Sequence, residues 1–218
     1  MFITLGQYRL TCYLPENKDM LNAVYIHADA QDAEEIFKLT DRNFALIAID
    51  GIDWNRDLTP WRHNKIFAKG EEFAGKADDY LDVLTEKLIP VAEREFALNI
   101  DKRYLVGYSL SGLFVVYAIY HTAIFDGIGS VSGSLWYGGF TDYVKCHTFK
   151  RNPDKMYFSL GDKEASSARG IMQTVLACTE QLEEKYRNDG IKTVLEMNEG
   201  KHFTDVPERI AKGIKWLL

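Results

Sequence analysis

RYLVGYSLSGLFVVYAIYH, residues 103–121, reads as an apolar strand (Arg103–Gly107), a tight turn and an apolar helix (Leu110–His121) with almost nothing between them. An apolar run of strand length is what a strand covered on both faces requires. The turn itself, GYSLSG at 107–112, follows the G-x-S-x-G pattern except at its last position. In that pattern the serine sits at a strained strand-to-helix corner and its hydroxyl projects beyond the strand. The two backbones approach so closely there that the residues two before and two after the serine must be small. Gly107 and Ser111 meet this demand around Ser109, although glycine is usual at the second position. Around Ser111 the flanks would be Ser109 and Leu113, and leucine is too bulky. Ser109 is therefore the candidate nucleophile.

Outward from this corner, short β-rich runs alternate with helical patterns, which predicts a mostly parallel sheet with helices on its faces. Strands are expected at Gln7–Leu14, Asn22–His27, Phe44–Ile49, Arg103–Gly107, Ile128–Ser132, Met156–Leu160 and Thr193–Met197. Phe2–Leu5 would add one more, joined to the first by a turn at Gly6, for a sheet of about 7–8 strands. Helices are expected at Asp32–Thr40, Ala77–Phe96, Leu110–His121, Arg169–Arg187 and Val206–Leu218. The last opens with Asp205 and Glu208 at capping-box spacing and Pro207 in its first turn. Asp50–Lys76 has no period, and a loop of that length in a compact domain is more often functional than idle.

The composition excludes several classes. The chain has 218 residues, 46% hydrophobic and 27% charged, which fits one soluble domain over 1–218. A net charge of −6 argues against a nucleic-acid partner. No run approaches the ~18 apolar residues of a membrane span, and the first twenty residues show no secretory pattern. Cys12, Cys146 and Cys178 are odd in number and widely spaced, so neither a disulfide framework nor a zinc site is expected. With no GxGxxG, P-loop or HExxH pattern, no cofactor or metal is expected. The expected compartment is the cytoplasm, the expected partner is a small molecule, and a homodimer is compatible with the sequence.

A serine nucleophile needs a base, and the base needs an acid to orient it. On this kind of sheet the chain order is serine, acid, histidine. Of five histidines only His147 and His202 lie well downstream of Ser109. His202, in NEGKHFTD between the last strand and the last helix, is the expected base, with Gly200 letting its loop turn. His147 precedes the strand that should deliver the acid and reads as a surface residue. His27, His63 and His121 read as structural or exposed. The turn after Met156–Leu160, SLGDKEASSARG, offers Asp162 and Glu164 as acids, and spacing alone does not separate them.

Taken together, NRDLTP at 55–60, GYSLSGLF at 107–114, SGSLW at 132–136, GDKE at 161–164 and GKHF at 200–203 resemble the putative-esterase family of α/β hydrolases. That family includes the enterochelin-esterase-like (siderophore esterase) enzymes, feruloyl esterases, S-formylglutathione hydrolases and mycolyl transferases. The resemblance implies an α/β-hydrolase fold without a large lid, a serine nucleophile and ester substrates. It places the family's serine on Ser109, its histidine on His202, and its acid, three residues beyond a strand-ending glycine, on Glu164. Ser111 departs from the family's usual glycine.

The oxyanion formed during acyl transfer needs preorganised donors. One should be the Leu110 amide and the other an amide near Ala28, where this chain reads HADAQD in place of the family's frequent Asp-Gly pair. Trp54, Trp61, Trp136 and Tyr137 are expected to open onto the same sheet edge, where they would either stack on a substrate or anchor loops. Arg56 would face an acidic substrate group or tie down its own loop through Asp57. The resulting expectation is a serine carboxyl-ester hydrolase working through an acyl-enzyme. Its rivals are a non-catalytic binding module on the same scaffold and an acyltransferase using the same residues.

Overall fold

The first hairpin, β1 (Phe2–Leu5) and β2 (Tyr8–Tyr13), turns at Gly6 in the computed structural model, which describes residues 1–16, 20–66 and 70–218. Then follow β3 (Leu21–His27), α1 (Ala30–Lys38), β4 (Ala45–Asp50) and the short α2 (Trp54–Asp57). The helices α3 (Ala77–Val83) and α4 (Ile89–Glu95) lead to β5 (Ile100–Tyr108) and α5 (Leu110–His121). Next come β6 (Gly127–Val131), α6 (Phe140–Cys146), β7 (Lys155–Gly161) and α7 (Glu164–Ser167). The described chain ends with α8 (Val175–Asn188), β8 (Lys192–Asn198) and α9 (Val206–Leu217).

All eight strands of the described residues join one sheet in the order β1-β2-β4-β3-β5-β6-β7-β8. Within this sheet the six strands β3 to β8 run parallel, and the β1–β2 and β2–β4 pairings are antiparallel. The order reverses where β3 lies between β4 and β5. At such a switch point the loops after two adjacent strands lead to opposite faces and leave a crevice at their C-terminal ends. Ile26 pairs with Val106 in that register, so Ala28 and Ser109 leave neighbouring strands at the crevice.

One face of the sheet is covered by α1 and α9, with Val24, Ile26, Val106 and Tyr157 beneath them. The other face carries the larger core, into which α5 sinks so deeply that every residue from Ser111 to Tyr120 is buried. That explains why α5 is apolar all round and shows no amphipathic stripe.

The departures from expectation are local. The helix expected over Ala77–Phe96 contains a π-helical turn at Leu84–Leu88, where the Ile89 amide bonds the Leu84 carbonyl. Pro90 follows directly; its ring would clash with the carbonyl four residues back, and widening to a five-residue bond relieves that. The helix expected from Arg169 begins in earnest at Val175, after a 3₁₀ turn at Gly170–Thr174. The capping box at Asp205 does not form: Asp205 has φ 49° and its side chain caps nothing, although Pro207 does occupy the first turn of α9. The chain enters α9 from a tight loop, and that entry uses the backbone of Asp205, whose carbonyl accepts the Arg209 amide at 3.0 Å.

Candidate active site

Ser109 stands between β5 and α5 with φ 58° and ψ −121°, a conformation a non-glycine residue adopts only when its surroundings impose it. The constraint comes from both flanks. A Cβ at Gly107 would collide with the carbonyl and hydroxyl oxygens of Ser111, so only glycine lets the helix start this close to the strand. Ser111 is fully buried, and its hydroxyl lies 2.5 Å from Nδ1 of His27. The serine found where glycine is usual is thus a packed, hydrogen-bonded residue pointing away from the cleft face of the corner.

On the other side of the corner, His202 Nε2 lies 3.1 Å from Ser109 Oγ. His202 sits on the loop after β8, which turns through Gly200 at φ 105°. The phenol of Tyr108 donates to the His202 carbonyl at 2.6 Å, and the two rings lie 5.0 Å apart. His202 Nδ1 is 2.9 Å from Glu164 Oε2. Glu164 begins α7, just beyond β7, and is 4% exposed. Its other oxygen, Oε1, accepts from the Gly161 amide at 2.7 Å, Ser132 Oγ at 2.5 Å and Arg209 Nη2 at 2.8 Å. Burial alone would raise the Glu164 carboxyl, but the hydrogen bonds from His202, Ser132, Gly161 and Arg209 outweigh it and bring it to about 2. The carboxylate is ionised at any working pH.

Asp162, the alternative acid, sits elsewhere. Its Oδ1 accepts the Gly200 amide at 2.8 Å, so it pins the loop that carries His202 and makes no contact of its own with the imidazole. His147 is exposed at the end of α6, bonded to the Tyr143 carbonyl and stacked on the Tyr143 ring. His27 is buried between Ser111 and the Tyr80 hydroxyl, and burial drives its pKa down to about 3.

Ser109, Leu110, Glu164 and His202 open onto a cleft of about 640 Å³. Its apolar wall is built from Ile66, Phe73, Trp136, Met172, Val175 and Phe203. Of the five residues expected to contact substrate, Trp136 alone is on this wall. Trp61 donates to the Gly138 carbonyl and Tyr137, 1% exposed, donates to the Trp61 carbonyl, so both anchor loops. Arg56 is forked onto Asp57 at 2.8 and 3.1 Å, fixing its own loop. Trp54 lines a second cavity of about 340 Å³, together with Ala28. The stretch 50–76 supplies Asn55, Ile66 and Phe73 to the cleft; residues 67–69 of it lie outside the described residues.

Sequence reasoning missed Phe203, 83% exposed at the cleft mouth, although it adjoins the candidate base. It also missed Arg209, whose signal was a charge on the otherwise apolar face of α9 formed by Val206, Ile210, Ile214 and Leu217. Among the described residues no group of three or more His, Cys, Asp or Glu is placed to share a metal ion, and no helix is long and apolar enough to cross a membrane.

A mostly parallel eight-stranded sheet with helices on both faces, a strained serine between β5 and α5 and a histidine on the loop after β8 define an α/β-hydrolase fold. The family described as putative esterase matches residues 6–205, and this chain belongs to it: it is an esterase, a hydrolase of carboxylic esters. The uncharacterized protein YbbA of Bacillus subtilis (strain 168) is 24% identical over 232 residues, spanning 97% of this chain and 93% of that protein. Siderophore hydrolase EstA from Aspergillus nidulans superposes with a TM-score of 0.77 at 18% identity, over 100% of this chain and 92% of its own. The IroE-like serine hydrolase from Shewanella oneidensis gives 0.80 at 19% identity, over 96% and 75%. At these identities the two structures speak for the fold.

Proposed function

We propose that the ester is cleaved by a covalent route in which Ser109 is the nucleophile, His202 the base and Glu164 the orienting acid. The observation that carries this reading is the unbroken chain from Ser109 Oγ through His202 to Glu164, at 3.1 and 2.9 Å, opening onto the cleft. Ser109 Oγ attacks the acyl carbon while its proton passes to His202 Nε2. The oxyanion is received by the Leu110 amide, at the first position of α5, and by an amide at the end of β3 near Ala28. His202 then returns the proton to the departing alcohol oxygen. Water, deprotonated by the same nitrogen, attacks the acyl carbon, and His202 passes that proton to Ser109 Oγ as the acyl–oxygen bond breaks and the acid leaves.

Glu164 holds the Nδ1–H tautomer, which leaves Nε2 free to accept. The apolar cleft wall favours an ester with a bulky aryl or alkyl portion, and the likeness to a siderophore hydrolase adds siderophores to the compounds worth testing. The test is a panel of a p-nitrophenyl ester, a feruloyl ester and a cyclic triester siderophore. Hydrolysis of at least one is expected, with a loss of roughly three orders of magnitude or more in turnover for Ser109→Ala. Undiminished hydrolysis in that variant would remove Ser109 from the mechanism.

A further inference from the structure

Arg209 is the largest fully buried side chain among the described residues, at 1% exposure. It rises from the first turn of α9 and reaches the back of the candidate acid. Nη2 contacts both Glu164 Oε1, at 2.8 Å, and Ser132 Oγ. Nη1 reaches the carbonyls of Lys201 and Thr204 at 3.3 and 3.5 Å, the residues that bracket the His202-Phe203 pair. One guanidinium therefore touches the acid, the residue that steadies the acid, and the loop that carries the base. The two oxygens of Glu164 divide their work accordingly: Oε2 faces the imidazole and Oε1 faces Arg209.

A structural role alone would be satisfied by any buried donor. The fixed charge does something more. A carboxylate beside an imidazole stabilises the imidazolium, and a cation behind that carboxylate offsets part of this. We propose that Arg209 is a positioning residue of the esterase site: it holds Glu164 turned toward His202 and, as a permanent positive charge behind the carboxylate, sets the pH at which the imidazole becomes free to accept the serine proton. The inference rests on the triad reading above.

The other charged and titratable groups around the pair do not duplicate this. Tyr108, from β5, has its phenol raised, by burial first and by Glu164 second, so it stays neutral through the working range. Asp162, after β7, and Lys201, on the His202 loop, are exposed, and water screens them. Arg209 is the charge that faces Glu164 from inside.

The experiment measures, in the full chain, the pH at which His202 takes up its proton by NMR of histidine-labelled protein, assigned by comparison with His202→Ala. Alongside it, the ascending limb of kcat/KM is followed on a neutral ester. Replacing Arg209 by Met should move both upward by on the order of half to one pH unit. Ser132→Ala, which removes a neutral partner of the same oxygen, should move both by less than Arg209→Met does. If Arg209→Met does not fold, Glu164→Gln is compared with Glu164→Gln/Arg209→Met, which buries no lone carboxylate; the NMR titration should again rise on loss of the arginine. An unchanged titration in these pairs overturns the proposal. A shifted titration in a protein whose Ser109→Ala variant hydrolyses ester undiminished upholds the charge effect and overturns the triad reading, so the two failures are distinguishable.

Discussion

Two serine–histidine pairs flank the same corner of this protein, and they are built for opposite ends. Ser109 and His202 meet at 3.1 Å and Ser111 and His27 at 2.5 Å, so proximity alone would favour the second pair. The difference lies in the third member. His202 is backed by a carboxylate that four hydrogen bonds keep ionised, whereas His27 is backed by the Tyr80 hydroxyl at 2.9 Å. His202 also lines the cleft on a glycine-turned loop, while His27 ends a central strand and is buried. Buried against a neutral phenol, an imidazolium has nothing to stabilise it; beside Glu164, it does. On the proposed reading, a serine beside a histidine serves as a nucleophile only where an anion and a route to solvent accompany it.

The most severe way to break this comparison is to remove each histidine in turn. His202→Ala should lower turnover by about three to four orders of magnitude with the circular dichroism spectrum unchanged. His27→Gln should keep turnover within an order of magnitude and lose stability instead. Equal losses of turnover from both would dissolve the distinction.

The acids come next in size. Glu164→Gln should cost roughly two to four orders of magnitude in kcat, because the wrong imidazole tautomer is then favoured. Asp162→Asn, which touches the Gly200 amide and not the ring, should cost less than tenfold. The reverse ranking would transfer the role to Asp162, and two small effects would leave a serine–histidine dyad.

Acid should separate the two regions through stability. Below about pH 6.5 the unfolded chain protonates His27, while the folded protein resists until about pH 3. Stability is therefore lost as pH falls through that window, at up to roughly 1.4 kcal/mol per pH unit. Glu164 acts lower: its contribution is complete above its ordinary value of 4.5 and is lost as pH falls toward about 2. Urea midpoints should accordingly drop between pH 7 and pH 5, and this drop should shrink in His27→Gln. A drop of the same size in the variant would mean that another group drives it.

The smallest effect concerns the unusual residue of the corner. Ser111→Gly restores the commoner sequence but strips the buried His27 Nδ1 of its partner at 2.5 Å, and should cost about 1–3 kcal/mol of stability. Turnover should change by less than about threefold. A large loss of turnover at full stability would place Ser111 in the chemistry.

Much of this was legible in the order of residues. The corner at Gly107–Ser111 is readable because strand and helix cannot cross there with a larger residue, and Gly107 in the structure has no room for a Cβ. The parallel strands announce themselves because burial on both faces leaves unbroken apolar runs. Asp162 and Glu164 lie two residues apart after one strand, and only the fold of α7 decides which of them turns inward. The helices α2, α6 and α7 escaped because four to seven residues carry too little period to be seen. The aromatic loop residues were indistinguishable until packed: Trp136 faces the cleft, while Trp61 and Tyr137 bond each other's loops. Arg209 stood in plain view as a charge on an apolar stripe, but its partners lie 45 and 77 residues away in sequence.

The central claim is that one of two neighbouring serines is activated, and a fluorophosphonate probe followed by peptide mass spectrometry tests it directly. At neutral pH the probe should attach to Ser109, with labelling abolished in Ser109→Ala, much slowed in His202→Ala and intact in Ser111→Ala. Labelling that persists in Ser109→Ala, or that is found on Ser111, would contradict the account.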